Sequence, residues 1–159
     1  MSDRPIRLLL VDDHDLIRSG LGAVIDLEDD MDVVGTAGSV AEAVAQYEAL
    51  SPDVVIADLQ LQDGTGLDIV RTIRKSSNDT GLIVLTMHSG DDQIFAAMQA
   101  GASGFVGKDA PSSEVVKAAR HAFVSPRAFV CAGLVGAMMR RASGEIGRAS
   151  CRERVCLVV

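Results

Sequence analysis

The chain has 159 residues, 48% of them hydrophobic and 3% aromatic, with a formal charge of −7; that is enough chain to bury one core without disulfides. Over residues 1 to 136, 10 Lys and Arg face 20 Asp and Glu, a balance that excludes this part as a binder of phosphate backbones, because nucleic-acid affinity rests on cations neutralising phosphates. The 3 cysteines lack metal-ligand spacing with the 3 histidines, and no apolar run has the length of a signal core or a membrane span, so a reduced, cytoplasmic setting is expected.

Ile6 to Val11 is a continuous apolar run of the kind buried on both faces of a sheet, and forms the first predicted strand. After DDHD, the spacing of Leu16, Ile17, Leu21, Val24 and Ile25 is helical, with Asp13 to Asp15 as acceptors for the free N–H groups at the helix start. Asp32 to Ala37 is the second strand; Ser39 caps a helix through Ala43, Val44, Tyr47 and Leu50 that Pro52 closes. Asp53 to Asp58 is the third strand. The glycine-bearing loop LQLQDGTG leads to a helix with Leu67, Ile69, Val70 and Ile73 inward, and LIVLT, ending at Thr86, is the fourth strand. A helix from about Asp91 to Ala100 stops at Gly101. Phe105 to Lys108 is the fifth strand, followed by a helix capped by Ser112 or Ser113 with Val115, Val116, Ala119 and Phe123 on one side. Beyond Pro126 there is one further apolar segment, Phe129 to Met139, whose Met138 and Met139 are expected to pack on the domain, and then a tail rich in Gly, Ser and Arg.

Five strands alternating with helices predict an α/β fold: a doubly wound (βα)5 three-layer sandwich with a parallel sheet in the flavodoxin-like order 2-1-3-4-5. The C-terminal ends of parallel strands open on one edge, so Asp12 and Asp13, Asp58, Thr86 and Lys108 are expected to converge there. Three carboxylates in one pocket repel each other unless a cation sits among them, and hard oxygen donors with room for water suit Mg²⁺. On that reading Asp13 and Asp58 are direct ligands, Asp12 acts through water, Asp58 attacks phosphorus, and Lys108 and Thr86 hold the transferred group. Taken singly each residue has a plainer role: aspartates ahead of helices act as caps, a threonine suits a strand, and a lysine after a strand is usually solvated. Their joint placement at separate strand ends is what points to chemistry. His14, His88 and His121 read as loop, cap or helix-surface residues and not as ligands.

The stretches RLLLVDDHDLIRSGL, PDVVIADLQLQDGTGLDIV, GLIVLTMH and AMQAGASGFVGKDAPSSEVVKAA, in this order and spacing, resemble the receiver domain of two-component response regulators of the LuxR-type class over roughly residues 5 to 125. The resemblance implies that Asp58 accepts a phosphoryl group from a sensor histidine kinase. It implies Mg²⁺ held by Asp12, Asp13, Asp58 and the Gln60 carbonyl, and a phosphoryl group held by Thr86 and Lys108. Phe105 matches an aromatic switch position, expected to turn inward as Thr86 moves, and Gln60 and His88 flank the site and are expected to set how fast water removes the phosphoryl group. A homodimer after phosphorylation and transcriptional control through a separate DNA-binding domain belong to the same implication. Asp109 follows Lys108 where many receivers have proline.

Residues 126 to 144 fit a linker helix, whereas residues 145 to 159 resemble translated sequencing-adapter DNA in place of a helix-turn-helix domain, so the tail is expected to be artefactual; a natural basic tail on a stand-alone receiver is the alternative. A Mg²⁺-dependent phosphatase of the haloacid dehalogenase type also uses a strand-end aspartate, but it calls for a second acid where Gln60 stands. Dinucleotide and flavin modules need a glycine- or hydroxyl-rich turn where this chain has DDHD, and cobalamin modules need glycine where Ile17 stands.

Overall fold

The computed structural model describes residues 4–87, 90–131 and 136–143. Strands β1 (Ile6–Val11), β2 (Met31–Ala37), β3 (Val54–Asp58), β4 (Gly81–Thr86) and β5 (Gly104–Gly107) alternate with helices α1 (Asp15–Asp26), α2 (Val40–Leu50), α3 (Gly66–Arg74), α4 (Asp91–Ala100) and α5 (Ser112–Val124). All pairings in this sheet are parallel, in the expected order 2-1-3-4-5. A sixth strand that the sequence did not announce, β6 (Val130–Cys131), extends the sheet beyond β5. The DGT loop carries a second surprise, a short antiparallel ladder between Gln60–Leu61 and Gly64–Thr65.

Alternation along the strands divides the core into two apolar layers. Leu9, Val11, Val55, Ala57, Leu82 and Val84 face Ile69, Val70 and Ile73 of α3 and Ile94, Phe95 and Ala97 of α4. Leu8, Leu10, Val54, Ile56, Ile83 and Leu85 face Ile25 of α1 and Val115, Val116, Ala119 and Ala122 of α5. Each Val, Leu, Ile or Phe side chain among them contributes about 1.5–3 kcal/mol when fully buried, so burial on both faces explains why these strands read as unbroken apolar runs.

The cap at Ser39 and the stop at Gly101 follow the sequence, and a capping box at α3 adds to them. Ser39 accepts the Glu42 N–H, Thr65 and Asp68 form a reciprocal capping box at α3, and Gly101 ends α4 in the left-handed region at φ 103°. Other expectations need correction. Asp13 to Asp15 do not cap α1; His14 occupies the cap position without a side-chain bond to the helix N–H groups, while Asp12 Oδ1 accepts the His14 N–H at 2.8 Å and lies 3.2 Å from His14 Nδ1. Neither Ser112 nor Ser113 caps α5, because Pro111 takes the cap position with φ already near its helical value and its carbonyl accepts the Glu114 N–H. Phe123 is 38% exposed, since Ala122 fills the inward position. Met138 and Met139, at 51% and 65% exposed, face solvent, and Ala137 is the buried residue of the helix over 136–143.

Arg74 closes the far end of the domain. Its guanidinium donates to the carbonyls of Thr80 at 2.7 Å, Gly101 at 2.8 Å and Pro126 at 2.9 Å, tying the end of α3 to the chain that follows α5. The expected artefactual tail from residue 145, with Cys151 and Cys156, and His88 lie outside the described residues.

Candidate functional site

Asp12 follows the last residue of β1, Asp58 ends β3, Thr86 ends β4 and Lys108 follows β5, so the strand ends deliver all four to one edge, as the register of the parallel sheet requires. Asp12, Asp58 and Thr86 are buried. Lys108 Nζ donates to Asp12 Oδ2 at 3.0 Å and to Asp58 Oδ2 at 2.9 Å with only 8% of its side chain exposed. A lysine after a strand is thus the cation of the pocket and not a solvated tip. Burial disfavours its ammonium and is the largest single influence, but the bonds it donates to Asp58 and Asp12 and their negative charge outweigh it and hold the Lys108 pKa above the ordinary lysine value.

The remaining carboxylate oxygens are unequally served. Asp58 Oδ1 accepts the Gln60 N–H at 3.3 Å, and Asp12 Oδ1 accepts that of His14. Asp13 Oδ1 lies 3.0 Å from His14 Nδ1, within Coulomb range, yet it is enclosed without an aligned hydrogen bond. Oxygen atoms of Asp12, Asp13 and Asp58 and a ring nitrogen of His14 fall within 4.8 Å of one another. Three carboxylates against one lysine, with a carboxylate oxygen left unpaired, is a donor set that suits a hard divalent cation. His14, read from sequence as a loop or cap residue, holds the cap position of α1 and also falls in this cluster.

Backbone packing holds the acids in place. Arg18 Nη1 donates to the Asp12 carbonyl at 2.6 Å and to the Ala37 carbonyl at 3.2 Å, clamping the ends of β1 and β2 together. Its only sequence signal was its place one helical turn beyond DDHD. Gly66 lets α3 start against β3: a Cβ there would sit 2.5 Å from the Asp58 carbonyl oxygen. The GTG sequence is therefore a close-approach device as well as a cap.

Thr86 also closes the site through its backbone, accepting the Lys108 N–H at 2.6 Å. Phe105, three residues before Lys108, is 2% exposed and belongs to the apolar cluster that also holds Ile94, Phe95 and Ala137. Its ring is buried in this structure. Gln60 is exposed beside Asp58.

Comparison with known proteins agrees with this geometry. The pattern of the family described as "Response regulator receiver domain" matches residues 8–120. The chain is 39% identical over 115 residues to the DNA-binding transcriptional activator DevR/DosR of Mycobacterium tuberculosis, covering 72% of this chain and 53% of that protein. It is 35% identical over 117 residues to the transcriptional regulatory protein LiaR of Bacillus subtilis, covering 74% and 56%. The chain thus spans about half the length of the curated relatives it matches. Among solved structures, a LuxR-family response regulator from Aurantimonas sp. superposes with a TM-score of 0.79 at 30% identity, covering 87% of this chain and 99% of that one. The receiver domain of the NarL response regulator of Mycobacterium tuberculosis gives a TM-score of 0.69 at 30% identity, with 72% and 93% covered.

Proposed function

The chain belongs to the response regulator receiver family, and on that premise we propose that Asp58 is its phosphoacceptor, with Asp12 and Asp13 serving a divalent cation and Lys108 and Thr86 holding the transferred group. The observation that carries the reading is the Lys108 ammonium bridging Asp12 and Asp58 at 3.0 and 2.9 Å beside the Asp13 oxygen that has no aligned hydrogen bond. Receiver domains interact with histidine kinases, which makes a phosphohistidine the donor.

In the transfer an Asp58 carboxylate oxygen forms the new O–P bond while the donor's P–N bond breaks, its electron pair remaining on the imidazole nitrogen. Asp12, Asp13, Asp58 and the Gln60 carbonyl would hold Mg²⁺, which when bound shields the anionic donor from the carboxylates. Lys108 Nζ, already at Asp58, turns an N–H towards a phosphoryl oxygen, and the Thr86 hydroxyl donates to another. Gln60, exposed beside Asp58, governs the approach of water to the acyl phosphate, and the family resemblance gives His88 the same role. The product carries extra negative charge and new acceptors at the end of β3, which biases the packing around β4, β5 and α4.

The relatives named above are transcriptional regulators, and we carry that output to the whole protein, with DNA contacted outside this acidic domain and a homodimer forming on phosphorylation. Within the chain we assign residues 5 to 125 to the receiver and 126 to 144 to a linker. Cytoplasmic residence goes with this role; among the described residues no helix is long and apolar enough to cross a membrane. The phosphatase reading is not favoured, because the family that matches is the receiver.

The test is labelling of the purified chain with acetyl phosphate or a cognate kinase. Label is expected only with Mg²⁺, and Asp58→Asn abolishes it. Full labelling of Asp58→Asn, or none in wild type with several donors, sinks the assignment.

A further inference from the structure

After α5 the chain stays on the domain. Arg74 and Ser103 Oγ hold the Pro126 carbonyl, and β6 pairs with β5 through Gly104 with Val130 and Phe105 with Cys131. The helix over 136–143 then meets α4. Arg140 Nε and Nη2 donate to Asp91 Oδ2 and Oδ1 at 2.8 and 2.7 Å, a two-pronged pair at the first residue of α4. One turn along the same face, the Arg141 guanidinium lies 4.6 Å from the centre of the Phe95 ring. Between these contacts Ala137 is 0% exposed and belongs to the apolar cluster that contains Phe105, Ile94 and Phe95.

This helix therefore shares one apolar cluster with Phe105 of the strand whose end carries Lys108. We propose that docking of the 136–143 helix on α4 and β5 and phosphorylation of Asp58 stabilise each other, so that the helix acts as a latch reporting the state of the carboxylate pocket; this rests on Asp58 being the phosphoacceptor. A phosphoryl group on Asp58 gives Lys108 and Thr86 a shared acceptor and ties the end of β5 to β4, where Thr86 and Gly107 are already in register. A more ordered β5 lowers the entropy lost when β6 and the helix settle on it. The coupling is reciprocal, so a docked helix favours the phosphorylated state by the same factor.

Amide hydrogen exchange on the full chain tests this in two stages. Without any phosphoryl donor, residues 136–143 are protected in wild type and lose protection in Ala137→Asp, which puts a carboxylate into the apolar cluster, and in Arg140→Asp by about two- to fivefold; the exchanged pair Asp91→Arg with Arg140→Asp regains it. Equal exchange in wild type and Ala137→Asp overturns the docking. With beryllofluoride and Mg²⁺, exchange of residues 136–143 slows about fivefold or more in wild type and not in Asp58→Asn, and Arg140→Asp weakens beryllofluoride binding by a matching factor. Unchanged protection in a chain that still labels from acetyl phosphate overturns the coupling. Failure of wild type to label at all overturns the Asp58 reading and the coupling with it, while the donor-free result still decides the docking.

Discussion

Gly66→Ala is the sharpest perturbation the fold offers, because it adds one methyl group at the contact between α3 and the end of β3 at Asp58. The new Cβ would lie 2.5 Å from the Asp58 carbonyl oxygen, 3.2 Å from its carbonyl carbon and 3.4 Å from Leu59 Cα, whereas ordinary contact begins at 3.4 Å. These neighbours are backbone, so no side chain can swing aside, and the gap must open by about 0.9 Å through movement of β3 or α3. Overpacking of this kind costs about 1–3 kcal/mol, which in a domain of this size lowers Tm by roughly 5–10 °C. The functional loss is larger in proportion, since a displacement of about 1 Å at a reacting group reduces rate by roughly a hundredfold. Thermal melts followed by circular dichroism and single-turnover labelling from acetyl phosphate give the two numbers independently. A variant that melts and labels like wild type would show that α3 does not set the position of Asp58 and would refute the reasoning.

Asp13→Asn removes the charge on the carboxylate whose Oδ1 has no aligned partner. Without Mg²⁺ this variant is expected to melt at or above the wild-type temperature, and the Mg²⁺-dependent stabilisation of wild type, about 2.7 kcal/mol at a hundred times Kd, should be largely lost; a wild-type Mg²⁺ response in the variant counts against the site. Lys108→Met should be destabilised at neutral pH, because two carboxylates lose their shared cation. The folded Lys108 pKa is raised above the ordinary 10.5, so its contribution is complete below the unfolded value and disappears as pH rises through the folded one. Urea unfolding from about pH 8 to about pH 11 should therefore show the gap between wild type and Lys108→Met narrowing only at the alkaline end, and a gap that closes near neutrality contradicts the assignment.

Much of this was legible in the residues because the signals were local or periodic. Continuous apolar strands, Ser39 and Gly101 at helix ends, and acids at the ends of the first and third strands follow from backbone satisfaction and burial on two faces. What escaped depended on partners distant in sequence. Val130 and Cys131 form a strand only because β5 offers an open edge, and Phe129 to Met139 has too little alternation to announce it. Phe123 and the methionines looked like core, but Ala122 and Ala137 took the inward places. His14 and Arg18 were silent as motifs, since a histidine beside two acids and an arginine in a helix each have common surface roles.

By itself the sequence determined a parallel α/β sheet and the edge where Asp12, Asp13, Asp58, Thr86 and Lys108 had to meet, because alternating strands and helices with right-handed crossovers leave one strand-end edge for all of them. Only the tertiary structure decided how the charges divide and which side chains share the core: Lys108 serves Asp12 and Asp58, Asp13 Oδ1 is left without an aligned bond, and Phe105 is buried in the cluster that holds Ala137. Charge pairing and side-chain packing act over a few ångströms between groups as many as 96 residues apart, and no local pattern encodes which oxygen a lysine will choose.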